Sequence, residues 1–252
     1  MRAPSRAVLA ALRSDARSGA QSLAEQWTRR LKLQSRERAR LQALYRAERA
    51  LCACASERVA GVDEVGMGPL AGPVVAAAVI LPYQPMLEGL DDSKKLRAEV
   101  RASLATQIHA IAIGVGIGMA TREEIDRLNI YHAGLLAMRR AIEQLSVQPD
   151  LVAVDGRSLP ELSIAQAKCI GGDGRVACIA AASIVAKQYR DHWMLQLDAA
   201  YPGYGFAQHV GYATPEHLRA LERFGPTPEH RISFAPVRQA LGGRADVQLE
   251  TV

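Results

Sequence analysis

The chain has 252 residues, 49% of them hydrophobic and 23% charged, an ordinary balance for a soluble globular protein with room for one large domain and an appendage. No apolar run approaches bilayer length, the longest (73–82) reading as a buried strand, and the first residues lack the apolar core of a secretory signal. The net charge of +5 is unevenly spread: residues 1–58 carry 13 Lys and Arg against 5 Asp and Glu, whereas residues 59–252 carry 18 against 21. A basic block therefore precedes a slightly acidic body, and such a block suits either a polyanion or a solvated helical face.

Residues 7–53 read as two helices, with Leu41, Leu44 and Tyr45 at helical spacing. Cys52 and Cys54 form a C-x-C pair, far from Cys169 and Cys178. That is neither a zinc spacing nor a secreted disulfide framework, so a cytoplasmic setting is expected. Residues 58–65 and 72–81 are β-like runs on either side of a Gly/Pro-rich turn. Ser93 is placed to cap a helix reaching about residue 110. Residues 111–119 alternate Ile, Val and Ile with glycine, a third strand. Thr121 with Glu124 three residues on is a capping box. A helix over 132–145, strands over 151–155 and 164–170 and a long helix over 176–199 follow. Loops and shorter helices complete the chain. Strands first, then strands alternating with helices, predict a mixed-sheet α/β layer fold with a helical C-terminal part. The expected division is a basic helical extension (1–58), a catalytic domain (59–241) and a flexible tail (242–252).

Three apolar elements each stop at an acid. Asp63 and Glu64 end one strand, Asp155 ends another before Gly156, and Asp173 stands between glycines ahead of the long helix. Singly, these read as a strand exit, a turn and a helix N-cap. Together they sit where α/β sites form. Clustered carboxylates raise one another's pKa unless a cation lies between them. Hard divalent ions such as Mg²⁺ or Mn²⁺ suit oxygen ligands, and beside phosphate they serve in-line displacement. The six histidines form no H-E-x-x-H, and no Ser-His-Asp or Cys-His arrangement is signalled.

The run Ala60-Gly61-Val62-Asp63-Glu64-Val65-Gly66-Met67-Gly68-Pro69-Leu70-Ala71-Gly72-Pro73 resembles the opening strand and turn of bacterial ribonuclease HII. The resemblance continues through Asp92-Ser93-Lys94-Lys95-Leu96, Asp126-Arg127-Leu128-Asn129-Ile130 and Val154-Asp155-Gly156. It goes on through Ile179-Ala180-Ala181-Ala182-Ser183-Ile184-Val185-Ala186-Lys187, Tyr201-Pro202-Gly203-Tyr204-Gly205-Phe206 and Gly225-Pro226-Thr227-Pro228-Glu229-His230-Arg231. It covers about 59–241 in unbroken order, and the basic extension resembles one that helps some members hold substrate.

The resemblance implies an RNase H-like fold, a mixed five-stranded sheet flanked by helices. It implies an endonuclease for the RNA strand of RNA–DNA hybrids, including single ribonucleotides embedded in duplex DNA. Such an enzyme cuts 5′ of the ribonucleotide to leave 3′-hydroxyl and 5′-phosphate ends, with Mn²⁺ or Mg²⁺ held in a two-metal site. Carried over, Asp63, Glu64, Asp155 and Asp173 match the acidic tetrad, and Gly66 and Gly68 the glycines that read the ribose 2′-hydroxyl. Tyr212 matches the tyrosine that packs on the next sugar, and Lys94 and Lys95 match phosphate contacts. No membrane and no obligate protein partner is implied, and a monomer is expected.

Four departures each remove a positive charge. Met67 stands for arginine in the glycine turn and Gly171 for lysine before Asp173. Val210 stands for lysine near Tyr212, and Ile232 for the second arginine after His230. They leave room for two other readings: a duplex-binding protein on the same fold with weak cleavage, and a related nuclease acting on DNA alone. Restoring arginine at Met67 is expected to add a phosphate contact.

Overall fold

The structure, a computed structural model, describes residues 4–52, 58–160 and 162–247; Cys54 of the C-x-C pair lies outside them. Helices α1 (Arg6–Ser14) and α2 (Ser18–Arg49) come first, then strands β1 (Val59–Val65) and β2 (Val74–Ile80). Next come α3 (Ala98–Ile111), β3 (Gly114–Ala120), α4 (Arg122–Leu128) and α5 (Ile130–Glu143). The strands β4 (Leu151–Asp155) and β5 (Ala165–Cys169) lead to α6 (Ala177–Ala200). Helices α7 (Phe206–His209), α8 (Pro215–Phe224) and α9 (Ala235–Val247) close the chain. No helix among the described residues is long and apolar enough to cross a membrane.

The five strands form one sheet in the order β3-β2-β1-β4-β5. The first three are antiparallel, and β4 and β5 run parallel to β1. Helix α5 covers one face, where Val62, Ala76 and Ala78 meet Ala133, Ala137 and Met138. Helices α6 and α3 cover the other, where Ala77 and Val79 meet Ala181, Ile184 and Leu104. The glycines of β3 explain its odd alternation. A Cβ on Gly116 or Gly118 would lie 2.0 or 2.2 Å from a carbonyl oxygen of α5, so only glycine lets that helix sit on the sheet. Gly61 does the same for α6, with a Cβ position 2.1 Å from the backbone of Cys178.

Three expectations need correction. Ser93 does not cap a helix. The Asp92 side chain accepts from the Lys94 N–H and closes a single 3₁₀ turn over Ser93–Lys95, and α3 begins only at Ala98. The Ser93 hydroxyl instead meets that of Ser183, 2.8 Å away on α6. The third strand begins at Gly114, because Ile111 still belongs to α3. At the far end α9 continues through Val247, so residues 242–247 are helical despite their glycine pair.

The basic extension is also not separable at residue 58. Leu41, Leu44 and Tyr45, all on α2, are buried in the core beneath α6. The Tyr45 hydroxyl accepts the Leu87 N–H, and Arg40 donates to the Leu90 carbonyl. Along α2, ahead of these buried residues, Arg29, Arg30, Lys32, Arg36 and Arg38 are exposed.

Candidate metal centre and nucleic-acid interface

Parallel pairing of β1 with β4 places Val62 opposite Val154, so Asp63 and Asp155 are the next residues out on adjacent strands. Asp173 reaches them from a 3₁₀ turn (Gly172–Gly174) that β5 delivers just before α6. Carboxylate oxygens of Asp63, Asp155 and Asp173 lie within 4.8 Å of one another. The turn is tied down by the acid it approaches, because Asp155 Oδ1 accepts the Gly172 N–H at 2.7 Å.

Burial pushes the Asp63 carboxyl up to about 8, and the charges of Glu64 and Asp155 add to the effect against a hydrogen bond with Ser183. Burial also raises Asp155, with Asp173 adding to it and the Gly172 N–H opposing. The nearest ammonium is that of Lys94, 3.5 Å from Asp173 Oδ2. Three desolvated carboxylates held this close need positive charge among them, and an all-oxygen donor set fits a hard divalent cation.

Glu64 stands apart. Successive strand residues face opposite sides, and Glu64 points to the α5 side, where its Oε1 lies 2.6 Å from Arg157 Nη2. Burial raises its pKa, and Arg157 pulls it down.

The glycine turn between β1 and β2 is clamped from within. Gly66 has φ +91°, and a Cβ there would lie 2.3 Å from Arg190 Nε, so no side chain fits. Arg231, fully buried, donates to the carbonyls of Gly66 (2.6 Å), Met67 (3.2 Å) and Gly72 (2.8 Å). Arg190, also fully buried, donates to those of Ala71 and Pro73. Burial lowers the guanidinium pKa values to about 9 and about 10 respectively, and both remain charged at neutral pH. Met67 packs against the α5-side core, and Gly68 is exposed.

Tyr212 presents a half-exposed ring 3.5 Å from the point where a Gly68 Cβ would be. Lys95 pairs with Asp91 and Asp92 and makes no ion pair with the triad. Of the other uncharged replacements, Ile232 is exposed, and Val210, with a positive φ of 44°, packs partly buried beside Met194 and Phe206. The sequence alone assigns no role to Arg157, Arg190, Arg231 or Ser183, although Arg231 and Ser183 lie in the runs that carry the resemblance. Arg157 follows the Asp155-Gly156 pair directly, a signal open to reading.

A family model described as Ribonuclease HII matches residues 60–237, and one described as Ribonuclease HII N-terminal domain matches residues 2–52. The chain is 55% identical over 236 residues to a ribonuclease HII of Myxococcus xanthus, covering 93% of this chain and 80% of the relative. In three dimensions it is similar to the ribonuclease H2 of Pyrococcus horikoshii OT3, with a TM-score of 0.64 and 23% identity over 74% of this chain and 98% of that one. It is also similar to Bst-RNase HIII solved in complex with Mn²⁺, with a TM-score of 0.56 and 20% identity over 74% of this chain and 70% of that one. With the sheet, the acids and the clamped turn already in place, these matches show that the chain belongs to the ribonuclease HII family and is an RNase H-type endonuclease.

Proposed function

We propose that this enzyme cuts the RNA strand of RNA–DNA hybrids, and single ribonucleotides embedded in duplex DNA, on the 5′ side of the ribonucleotide. The observation that carries the reading is the convergence of Asp63, Asp155 and Asp173 beside a clamped glycine turn. In the reaction a water oxygen bonds to phosphorus and the P–O3′ bond breaks. One fragment ends in a 3′-hydroxyl and the other begins with the 5′-phosphate of the ribonucleotide. Asp63, Asp155 and Asp173 are the residues that would hold divalent cations, with Glu64 as the fourth acid beside them, one of its oxygens kept on Arg157. Mn²⁺ or Mg²⁺ bound there, as a pair, would supply water activation and charge stabilisation at the leaving oxygen.

The chain's own residues do the rest. The Gly66–Gly68 turn, rigid because its carbonyls are gripped by Arg231, brings backbone against the ribose, where a 2′-hydroxyl marks RNA. Tyr212 offers a flat ring to the adjoining sugar. Lys94 and Lys95 face the phosphates, and the exposed arginines of α2 extend the grip along the duplex. Residues 1–58 act as a substrate-binding extension of a catalytic body that works as a cytoplasmic monomer without an obligate protein partner.

The test is a duplex with one ribonucleotide, incubated with Mn²⁺ or Mg²⁺ beside an all-DNA control. A single cut 5′ of the ribonucleotide is expected. Equal cutting of both duplexes, or of neither, overturns the reading.

A further inference from the structure

We infer that Arg157 takes over, in this chain, the phosphate contact that the uncharged Met67 cannot make beside the glycine turn. The inference rests on the duplex-cutting reading above and concerns which residue grips the backbone there. Arg157 leaves β4 two residues after Asp155, and Gly156 makes the turn with φ +69°. Its guanidinium is held on two sides. Nη2 is 2.6 Å from Glu64 Oε1, and the Tyr131 ring lies beneath at 5.4 Å.

The third side is open in chemistry but closed in space. Nη1 is enclosed and has no hydrogen-bond partner among the described residues. An enclosed guanidinium N–H without an acceptor is costly, and the described residues supply none. What encloses it is visible at Gly134. A Cβ at that position would lie 3.4 Å from Arg157 Nη1, 3.1 Å from Met67 Sδ and 3.2 Å from Met67 Cε. Arg157 and Met67 therefore fill one gap above α5, which the missing side chain of Gly134 creates. Methionine is unbranched and flexible, so its thioether can move aside. A phosphate oxygen arriving at the glycine turn then meets an N–H already oriented by Glu64 and Tyr131. A guanidinium suits this role because one edge can hold a carboxylate while the other serves a phosphate.

This changes the expectation for Met67→Arg. With Arg157 in place, a second guanidinium in the same gap meets a like charge and adds no contact.

The test is equilibrium binding of a one-ribonucleotide duplex across a salt series with no metal added, for wild type, Arg157→Met, Met67→Arg and the double variant. Arg157→Met should bind about tenfold more weakly, with a log–log salt slope shallower by roughly 0.7–0.9. Loss of packing alone would weaken binding without moving that slope. Adding Met67→Arg to Arg157→Met should restore it, whereas Met67→Arg alone should leave it unchanged. An unchanged slope in Arg157→Met overturns the inference. So does a slope steepened by a full contact in Met67→Arg alone, which decides the matter even if Arg157→Met does not fold. Wild type that fails to bind the duplex at all overturns the duplex-cutting reading as well.

Discussion

The Glu48 carboxylate, near the end of α2, accepts the backbone N–H of Cys178 at 2.7 Å in the first turn of α6. Val176, the N-cap residue of α6, makes no side-chain capping bond, so the helix takes its cap from the extension. Burial raises the Glu48 carboxyl to about 7, with the Cys178 N–H opposing the shift. Helix α6 packs against β1 and carries Ser183 beside Asp63, so this cap helps to seat the wall behind the acids. Glu48→Ala should cost about 1–2 kcal/mol and lower the melting temperature by about 2–6 °C. Glu48→Gln, which keeps an acceptor, should cost less than half as much. Thermal melts of the three proteins decide it, and an unchanged melt for the alanine variant would show that the cap contributes nothing.

Asp155→Asn should lower cleavage at least a hundredfold while leaving duplex affinity within about twofold, because it removes a cation ligand and no phosphate contact. The Gly172 N–H keeps an acceptor in the asparagine carbonyl, so the turn that carries Asp173 should stay in place. Asp63→Asn should behave alike. Single-turnover cleavage and binding measured on the same duplex separate the two effects. Near-normal cleavage by either variant would remove that acid from the mechanism.

Much of this site was legible because strands announce their ends. Asp63 and Asp155 could be placed together because each closes an apolar run of strand length, and parallel pairing then aligned those runs. The reading of Asp173 as a helix cap is the weaker alternative, since α6 starts four residues later and borrows Glu48. Glu64 followed the strand's period of two onto the other face, a consequence that could be drawn from the residue order alone. The groups that hold the site together were not legible in this way. Glu48 and Cys178 are 130 residues apart, Arg190 and Pro73 117, Arg231 and Gly66 165, and Arg157 and Glu64 93. Local periodicity carries no information about such pairs. The glycines of β3 were visible as an alternation, but their reason, the backbone of α5 lying against them, was not.

The basic extension gives a prediction that depends on where it is cut. Deleting residues 1–35 removes exposed basic residues, leaves Leu41, Leu44 and Tyr45 in the core and keeps Glu48 on the first turn of α6. This variant should melt near wild type while its binding loses salt dependence, by roughly 0.7–0.9 in log–log slope for each phosphate contact removed. Deleting residues 1–52 should instead destabilise the catalytic body, because it strips buried side chains from under α6. An unchanged slope in the shorter deletion would mean that the exposed arginines face solvent alone.

The last prediction concerns acid. His217 and His230 are buried and share a 2.9 Å bond between their Nε2 atoms, so one ring must give and the other accept. The Thr227 N–H donates to His230 Nδ1, which leaves His230 Nε2 to donate to His217. His217 Nδ1 then donates to the carbonyl of Tyr212, the residue beside the glycine turn. A proton added to either ring breaks this chain. Burial accordingly depresses His217 to about 4 and His230 to about 3, and the neighbouring rings contribute. Both folded values lie below the unfolded value of about 6.5, so each ring's contribution is complete above pH 6.5 and is lost as pH falls toward the folded value. Between those limits the unfolded chain binds a proton that the folded chain does not, at about 1.4 kcal/mol per pH unit for each ring. His217→Gln should therefore be less stable than wild type at pH 7.5, since it disturbs the bond to His230. Its stability should fall less steeply between pH 6 and 4.5, by about one proton's worth. Urea denaturation at a series of pH values measures both quantities. Parallel pH slopes for the two proteins would mean that His217 is not held neutral, and that Tyr212 does not depend on an uncharged ring for its position.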